Sequence, residues 1–388
     1  MSIKVFKVGG EVGGNPDNIR KLADLIQKED QVVLVTSAPA KNGNRVTDLL
    51  REGGKGDEIA AIYNHLAQPF GETFQPREFW KGIERAQTLD DVVYRGDAYQ
   101  AKLMVKILKN LGVDSKWIDA HHVINTDSNY GNGKIDWIDI EPFKGHRVYV
   151  IGGFHGANSK RETIILPPSG SDITAGRLAG DLKADELIML KEQPGLRFVD
   201  PKILPETAII DHLTYEQMRE AAYRSGKAAV HPSALKECRD GNIPILIRSL
   251  DSGLGTIINR DITQNRSPIV GFAVKDGFLI YKLQRELNPD FFTDVFNLFK
   301  QERISLDMVE SDSDYVSIAV HNDEFADRHQ ERSFVSKLKE AINQQVEERR
   351  NQTLISVVGG QIYDPLMVRS IFSSFDPNEI YGIMTGKA

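Results

Sequence analysis

The residues best suited to chemistry in this chain are lysines set beside glycine turns. Lys7-Val8-Gly9-Gly10 closes a short apolar stretch that begins at Ile3. Paired glycines let a backbone approach an anion closely, and the lysine adds a positive charge. Ile151-Gly152-Gly153-Phe154-His155-Gly156 is a second strand-like stretch running into a glycine loop. Ser169-Gly170-Ser171-Asp172-Ile173-Thr174 reads as a turn opening a helix, whose free N–H groups and dipole favour an anion. Asp172 suits an ordinary N-cap, and equally a carboxylate that orients lysines or holds magnesium. In Ser225-Gly226-Lys227 the glycine suits a helix end, so Lys227 either complements the dipole there or reaches an anion. Phosphoryl transfer asks for such parts: N–H groups around phosphates, cations against their charge, and reactants held in line. Each segment alone is also what a plain turn or cap looks like, and no GxxxxGK[ST] motif follows the first glycines.

Positioning such turns requires alternating strands and helices. Ile3–Val8 and Gln31–Thr36 are expected strands, the second a continuous apolar β-branched run of the kind buried on both faces. Further strands are expected at Lys116–Asp119, Arg147–Ile151, Glu186–Leu190 and Ile243–Ile247. Helices are expected at Pro16–Lys28, Tyr99–Leu111, from Thr174, and at Tyr215–Ser225. Repeated βα units imply an α/β fold, a mostly parallel sheet sandwiched by helices. A junction falls near Asn259–Pro268, so residues 1–260 form one expected domain and 268–388 another. The second region reads as α+β in two similar halves. Its expected strands are Ile269–Val274, Phe278–Lys282, Ile304–Val309 and Tyr315–Val320, with helices at Pro289–Gln301 and Ser333–Val346. Val346–Arg350 reads as a solvated helix end, and Thr353–Val358 opens a shorter second unit with Asp364–Phe375 and Ile380–Met384.

The chain has 388 residues, 40% of them apolar and 27% charged, and a net charge of −7. Two or three domains follow from the length, since single cores stop growing near roughly 250–300 residues. A weakly acidic chain without a dense Lys/Arg tract argues against nucleic acid as a partner. No apolar run reaches the roughly 20 residues that span a bilayer, so no membrane partner is expected. The N-terminus has no targeting pattern, and a single cysteine, Cys238, cannot form an internal disulfide. A reducing, cytoplasmic setting is the expectation. His121-His122 lack partners at ligand spacing and read as surface or packing residues, whereas His155, inside a glycine loop, is a candidate for touching substrate. Phe291, Phe292 and Phe296 fall at helical spacing and read as core.

The order of these segments carries more than any one of them. Lys7-Val8-Gly9-Gly10, Val35-Thr36-Ser37-Ala38, Val46-Thr47-Asp48-Leu49-Leu50, Gly152–Gly156, Gly170-Ser171-Asp172, Asp200-Pro201-Lys202, Leu213-Thr214-Tyr215-Glu216 and Gly226-Lys227 resemble, as a series, the aspartokinases of the amino acid kinase family. The likeness runs from about Lys4 to Thr256, and the last third resembles paired ACT regulatory domains. The resemblance implies ATP-dependent phosphorylation of the side-chain carboxylate of aspartate, with Mg2+ on the nucleotide. By it, Lys7, Asp172 and Lys227 are catalytic. Gly9, Gly10, Ser37, Gly153, Lys191 and Lys202 meet the nucleotide, and Thr47, Asp97, Phe154 and Ser171 meet a small amino-acid substrate. No protein-held metal site is implied. A homodimer or higher homo-oligomer through the ACT-like domains is.

Several positions depart from that family's pattern. Lys-Phe-Gly-Gly-Thr-Ser reads Lys7-Val8-Gly9-Gly10-Glu11-Val12 here, which adds a negative charge near an anionic site. Gly-Glu reads Gly96-Asp97, one methylene shorter. The arginine that clamps the substrate's α-carboxylate is replaced by Pro168, and Arg161, Arg95 and Arg177 are the candidates to take over. The nucleotide-side stretch reads Lys191-Glu192-Gln193-Pro194-Gly195. These departures keep two alternatives open: a kinase for a different small acid, and a non-catalytic amino-acid-binding regulator. The short second ACT-like unit speaks against feedback control by lysine or threonine.

Overall fold

The computed structural model describes residues 2–53, 55–81, 83–197, 207–225, 230–261, 271–285, 290–325, 327–343 and 345–358. The chain separates into two compact units, with residues 2–222 and 230–261 in the first and 271–358 in the second.

The first unit is built on an eight-stranded sheet. Its order is His212–Thr214, Gly255–Asn259, Ile245–Arg248, Glu186–Leu190, Ile3–Val8, Gln31–Thr36, Val148–Gly152 and Ser115–Ile118. Six strands run parallel, and Gly255–Asn259 turns against Ile245–Arg248 at one side. Val32, Val33, Leu34 and Val35 are all fully buried, as a strand covered on both faces requires. The expected strands and helices are present with ends shifted by a few residues. The helix expected at Tyr99–Leu111 begins earlier and spans Asp90–Asn110, and the one expected from Thr174 spans Gly170–Leu182.

Local chemistry sets the helix entries. Asn15 accepts hydrogen bonds from the Asp17 and Asn18 amides, Pro16 fills the first turn, and Ile19, Leu22, Ala23 and Ile26 face the core of Pro16–Ile26. A second, smaller sheet was not legible in the sequence. It orders Thr163–Ile165, His155–Ala157, Ile124–Thr126 and Ile135–Ile138, and it pairs the segment that follows Gly152-Gly153.

The second unit is a four-stranded antiparallel sheet in the order Met308–Ser311, Tyr315–His321, Gly271–Gln284 and Val346–Val358, with helices Phe291–Glu302 and Arg328–Ile342. In chain order this is β-α-β-β-α-β. Two readings are corrected. The separate strands expected at Ile269–Val274 and Phe278–Lys282 are one strand, continued through Gly277 at φ +87° and shifts in pairing register. Val346–Arg350 is not a helix end but part of the Val346–Val358 strand, which completes this sheet. Its charges sit at strand spacing: Glu347 pairs with Arg349 at 2.8 Å and Glu348 with Arg350 at 3.0 Å. The expected Asp364–Phe375 helix and Ile380–Met384 strand lie outside the described residues.

Leu34 is fully buried at the centre of the large sheet. Leu34→Ala is expected to cost about 2–5 kcal/mol, read as a lower urea midpoint in tryptophan fluorescence. Trp80, Trp117 and Trp137 all lie in the first unit, so the probe reports on that unit.

Candidate active site

Lys7 lies at the end of the central strand, and Asp172 in the first turn of Gly170–Leu182. Their side chains meet at 2.7 Å, Lys7 Nζ to Asp172 Oδ1, and both residues are buried. Lys191, just past the neighbouring strand, brings its Nζ to 3.9 Å from Asp172 Oδ2. Burial opposes the charge on Asp172, yet Lys7 and then Lys191 outweigh it, so the carboxyl stays below its ordinary range. Burial lowers the pKa of Lys191, and the Lys7 ammonium adds to that.

These groups line a cavity of about 360 Å³ at the carboxyl ends of the central strands. Ser37 Oγ and Ser171 Oγ are 2.6 Å apart in its wall. Gly9, Gly10, Thr47 and Phe154 also face it. Glycine is required at two places. A Cβ on Gly10 would lie 2.5 Å from the Ala38 carbonyl oxygen, and one on Gly153 would lie 2.4 Å from Val35 and 2.7 Å from Ser171. Gly153 is therefore packed behind the wall, its carbonyl accepting from Thr174 Oγ1 at 2.8 Å, while Phe154 beside it faces the cavity.

Asp97 sits deeper and is fully buried. Its Oδ2 accepts from the Phe154 amide at 2.8 Å and faces His155 Nδ1 at 3.3 Å. Its Oδ1 has no hydrogen-bond partner among the described residues. His155, expected as a possible substrate contact, is buried against Asp97 and is not in the cavity wall. Lys202 and Lys227 fall outside the described residues.

Folding also gives His121 neighbours that its sequence spacing did not show. Asp119, His121 and His155 each place one potential ligand atom within 4.8 Å of the others. Both ring nitrogens of His121 already have partners, Asp119 Oδ1 at 3.3 Å and Thr163 Oγ1 at 3.1 Å. The three arginines considered for carboxylate recognition point elsewhere. Arg95 donates to the Phe79 and Lys81 carbonyls, Arg161 to that of His121, and Arg177 pairs with Asp181. Arg45 and Arg51 stand in the cavity wall instead, beside Glu11, Asp48 and Pro168. Sequence reasoning missed both, although Arg51 falls four residues after Thr47, on the same helical face.

A helix-covered parallel sheet with a cation-lined cavity at its strand ends is the layout of an α/β enzyme handling an anionic ligand. The model of the amino acid kinase family matches residues 2–249, and the chain belongs to that family. An aspartokinase of Chlamydia muridarum is 31% identical over 270 residues, which cover 63% of this chain and 60% of that relative. The match thus spans about three fifths of the relative's length. Among solved structures, aspartate kinase of Clostridium acetobutylicum shares the fold with a TM-score of 0.82 at 21% identity, covering 96% of this chain and 90% of that one. Aspartokinase III of E. coli, solved with aspartate and ADP, gives 0.75 at 22% identity over 100% of this chain and 94% of that one. No helix among the described residues is long and apolar enough to cross a membrane.

Lys7 and Asp172 predict a specific pH dependence. A carboxyl held below its ordinary value stabilises the fold fully above about pH 4 and loses that contribution as pH falls through its folded value. Asp172→Asn leaves Lys7 buried without its counter-charge. It is expected to cost about 3–5 kcal/mol at neutral pH, a deficit that narrows below about pH 4 as the parent chain protonates. Urea unfolding across pH reads both.

Proposed function

We propose that this protein transfers the γ-phosphoryl group of ATP to the side-chain carboxylate of aspartate, giving an acyl phosphate. The observation that carries the reading is the buried Lys7–Asp172 pair at the mouth of the Gly170–Leu182 helix, with Lys191 beside it. Two ammonium groups, a helix N-terminus and paired glycines suit a phosphate chain whose charge must be neutralised as it transfers. The E. coli aspartokinase that shares this fold was solved with aspartate and ADP, which supports the same pair of ligands here.

In this reading Asp172 keeps Lys7 fixed toward the phosphates, so no reorganisation is needed as charge develops. Gly9 and Gly10 let the backbone close on the nucleotide. Ser37 and Ser171 offer hydroxyls at the join between donor and acceptor. The acceptor carboxylate is already an anion, so no general base is required; what the site must supply is alignment. Asp97 lies behind the wall and serves the acceptor side by holding the Phe154 amide. Gly153 and Phe154 set the wall between them. Lys202 and Lys227 belong to the nucleotide side by family likeness alone.

Magnesium fits the donor set. Glu11, Asp48 and Glu192 present carboxylates at the cavity, the hard oxygen ligands the ion takes, and Asp172 is committed to the lysines. Bound with the nucleotide, it would neutralise phosphate charge. The β-α-β-β-α-β unit is the ACT-like region of this reading, with dimerisation as its role. A cytoplasmic setting accords with a single cysteine that is free and buried.

One observation favours a second reading, a kinase for another small acid: Pro168 stands in the cavity wall where the resemblance implies an arginine. Purified protein offered ATP, magnesium and a panel of small acids, with acyl phosphate trapped as the hydroxamate, separates them. Aspartate is expected to give product. Lys7→Met is expected to lower kcat on the order of 10²–10³-fold. Turnover of another acid with aspartate inert favours the second reading, and no product with any acid defeats both.

A further inference from the structure

We infer that Arg51 receives the α-carboxylate of the acceptor, from the helix Val46–Arg51 rather than from the segment that holds Pro168. This rests on the aspartate reading above. Aspartate near neutral pH carries two carboxylates and an ammonium. The carboxylate that reacts must lie at the phosphates, so the other needs its own cation or must stay hydrated.

Among the described residues the wall offers four cationic side chains: Lys7, Lys191, Arg45 and Arg51. Lys7 is held by Asp172 at 2.7 Å. Lys191 flanks the same carboxylate, and Arg45 is close enough to Lys191 to act on its charge. These three are linked through Asp172 and Lys191, the grouping a phosphate chain would need.

Arg51 makes its contacts with other residues. It closes the short helix Val46–Arg51, one turn after Thr47, so both side chains leave the same face. Its guanidinium carbon lies 5.9 Å from the centre of the Phe154 ring. Phe154 in turn hangs from the amide that binds Asp97. Arg51 therefore adjoins the residues proposed for the acceptor. Its contact with Asp48 is loose, 3.8 Å between side chains that are 38% and 52% exposed, and such pairs are worth little. A carboxylate entering the cavity can displace it by binding the planar fork with two parallel hydrogen bonds. Arg95, Arg161 and Arg177 are occupied elsewhere, and Pro168 has no donor to give.

The test compares aspartate with 3-aminopropanoate, which is aspartate without its α-carboxylate, in the hydroxamate assay with ATP and magnesium. The parent enzyme is expected to prefer aspartate strongly. Arg51→Met is expected to raise the KM for aspartate about 10–100-fold, the loss of one charge-assisted contact, and to leave the KM for ATP in place. Preference over 3-aminopropanoate should shrink by the same factor, and Arg51→Lys should restore part of it. Arg45→Met should instead raise the KM for ATP and keep the preference. Arg51→Met with unchanged preference would overturn the inference while the aspartate reading stands. A parent enzyme that does not turn over aspartate defeats that reading, and this inference with it.

Discussion

The first unit is organised around one ion pair. Lys7 and Asp172 lie 165 positions apart in the chain and are both almost completely removed from water. A buried pair is seldom a large source of net stability, because desolvating two charges offsets most of their attraction. What it imposes is position. The end of the central strand and the first turn of Gly170–Leu182 must stay within hydrogen-bond reach, or each leaves an uncompensated charge inside the protein. That requirement places a lysine, a helix N-terminus and the turn after Glu186–Leu190 around one cavity.

Close packing serves the same end. Gly10 lies against the Ala38 carbonyl, and Gly153 fits between Val35 and Ser171 with no room for a side chain. These contacts draw three strand ends together, so the hydroxyls of Ser37 and Ser171 meet at 2.6 Å. Behind them, Asp97 anchors the glycine loop through the Phe154 amide, and the small four-stranded sheet holds the following residues. The cavity wall thereby combines cations with uncharged groups: Lys7, Lys191, Arg45 and Arg51 stand in it with Thr47 and Phe154, and Pro168 adds a surface without a donor. In the proposed reading, phosphoryl transfer without a protein nucleophile depends on such placement, since alignment and electrostatics are all the site contributes.

The second unit reaches its fold by different means. It has its own core, with Tyr281, Leu283, Phe299, Val316, Ile318, Phe334 and Leu338 buried between the helices and one face of the sheet. Its last strand carries ion pairs two residues apart, a spacing that places both partners on one side of a pleated chain. The same five residues at helical spacing would scatter around a cylinder, which is why their charge alone misled the helix assignment.

Local pattern alone determined much of this protein. The apolar runs at Ile3–Val8, Gln31–Thr36 and Glu186–Leu190 specify buried parallel strands, because no amphipathic helix tolerates such continuity and no exposed strand needs it. The glycine turns and the lysines beside them mark an anion site, and their order along the chain carries the family. Lys7, Ser37, Thr47, Phe154, Ser171, Asp172 and Lys191 are legible on that basis, and the fold brings all seven to one cavity. Tertiary structure alone decided which arginines face that cavity. Arg95, Arg161 and Arg177 each find backbone carbonyls or a neighbouring carboxylate, and Arg45 and Arg51 do not leave the wall. It also decided that Asp97 and His155 lie behind the wall, and that Gly277 lets one strand run through a turn signal. The physical reason is the same in each case. Strand and helix periods are written in neighbouring residues, whereas the direction of a long charged side chain is set by partners that only folding brings within reach.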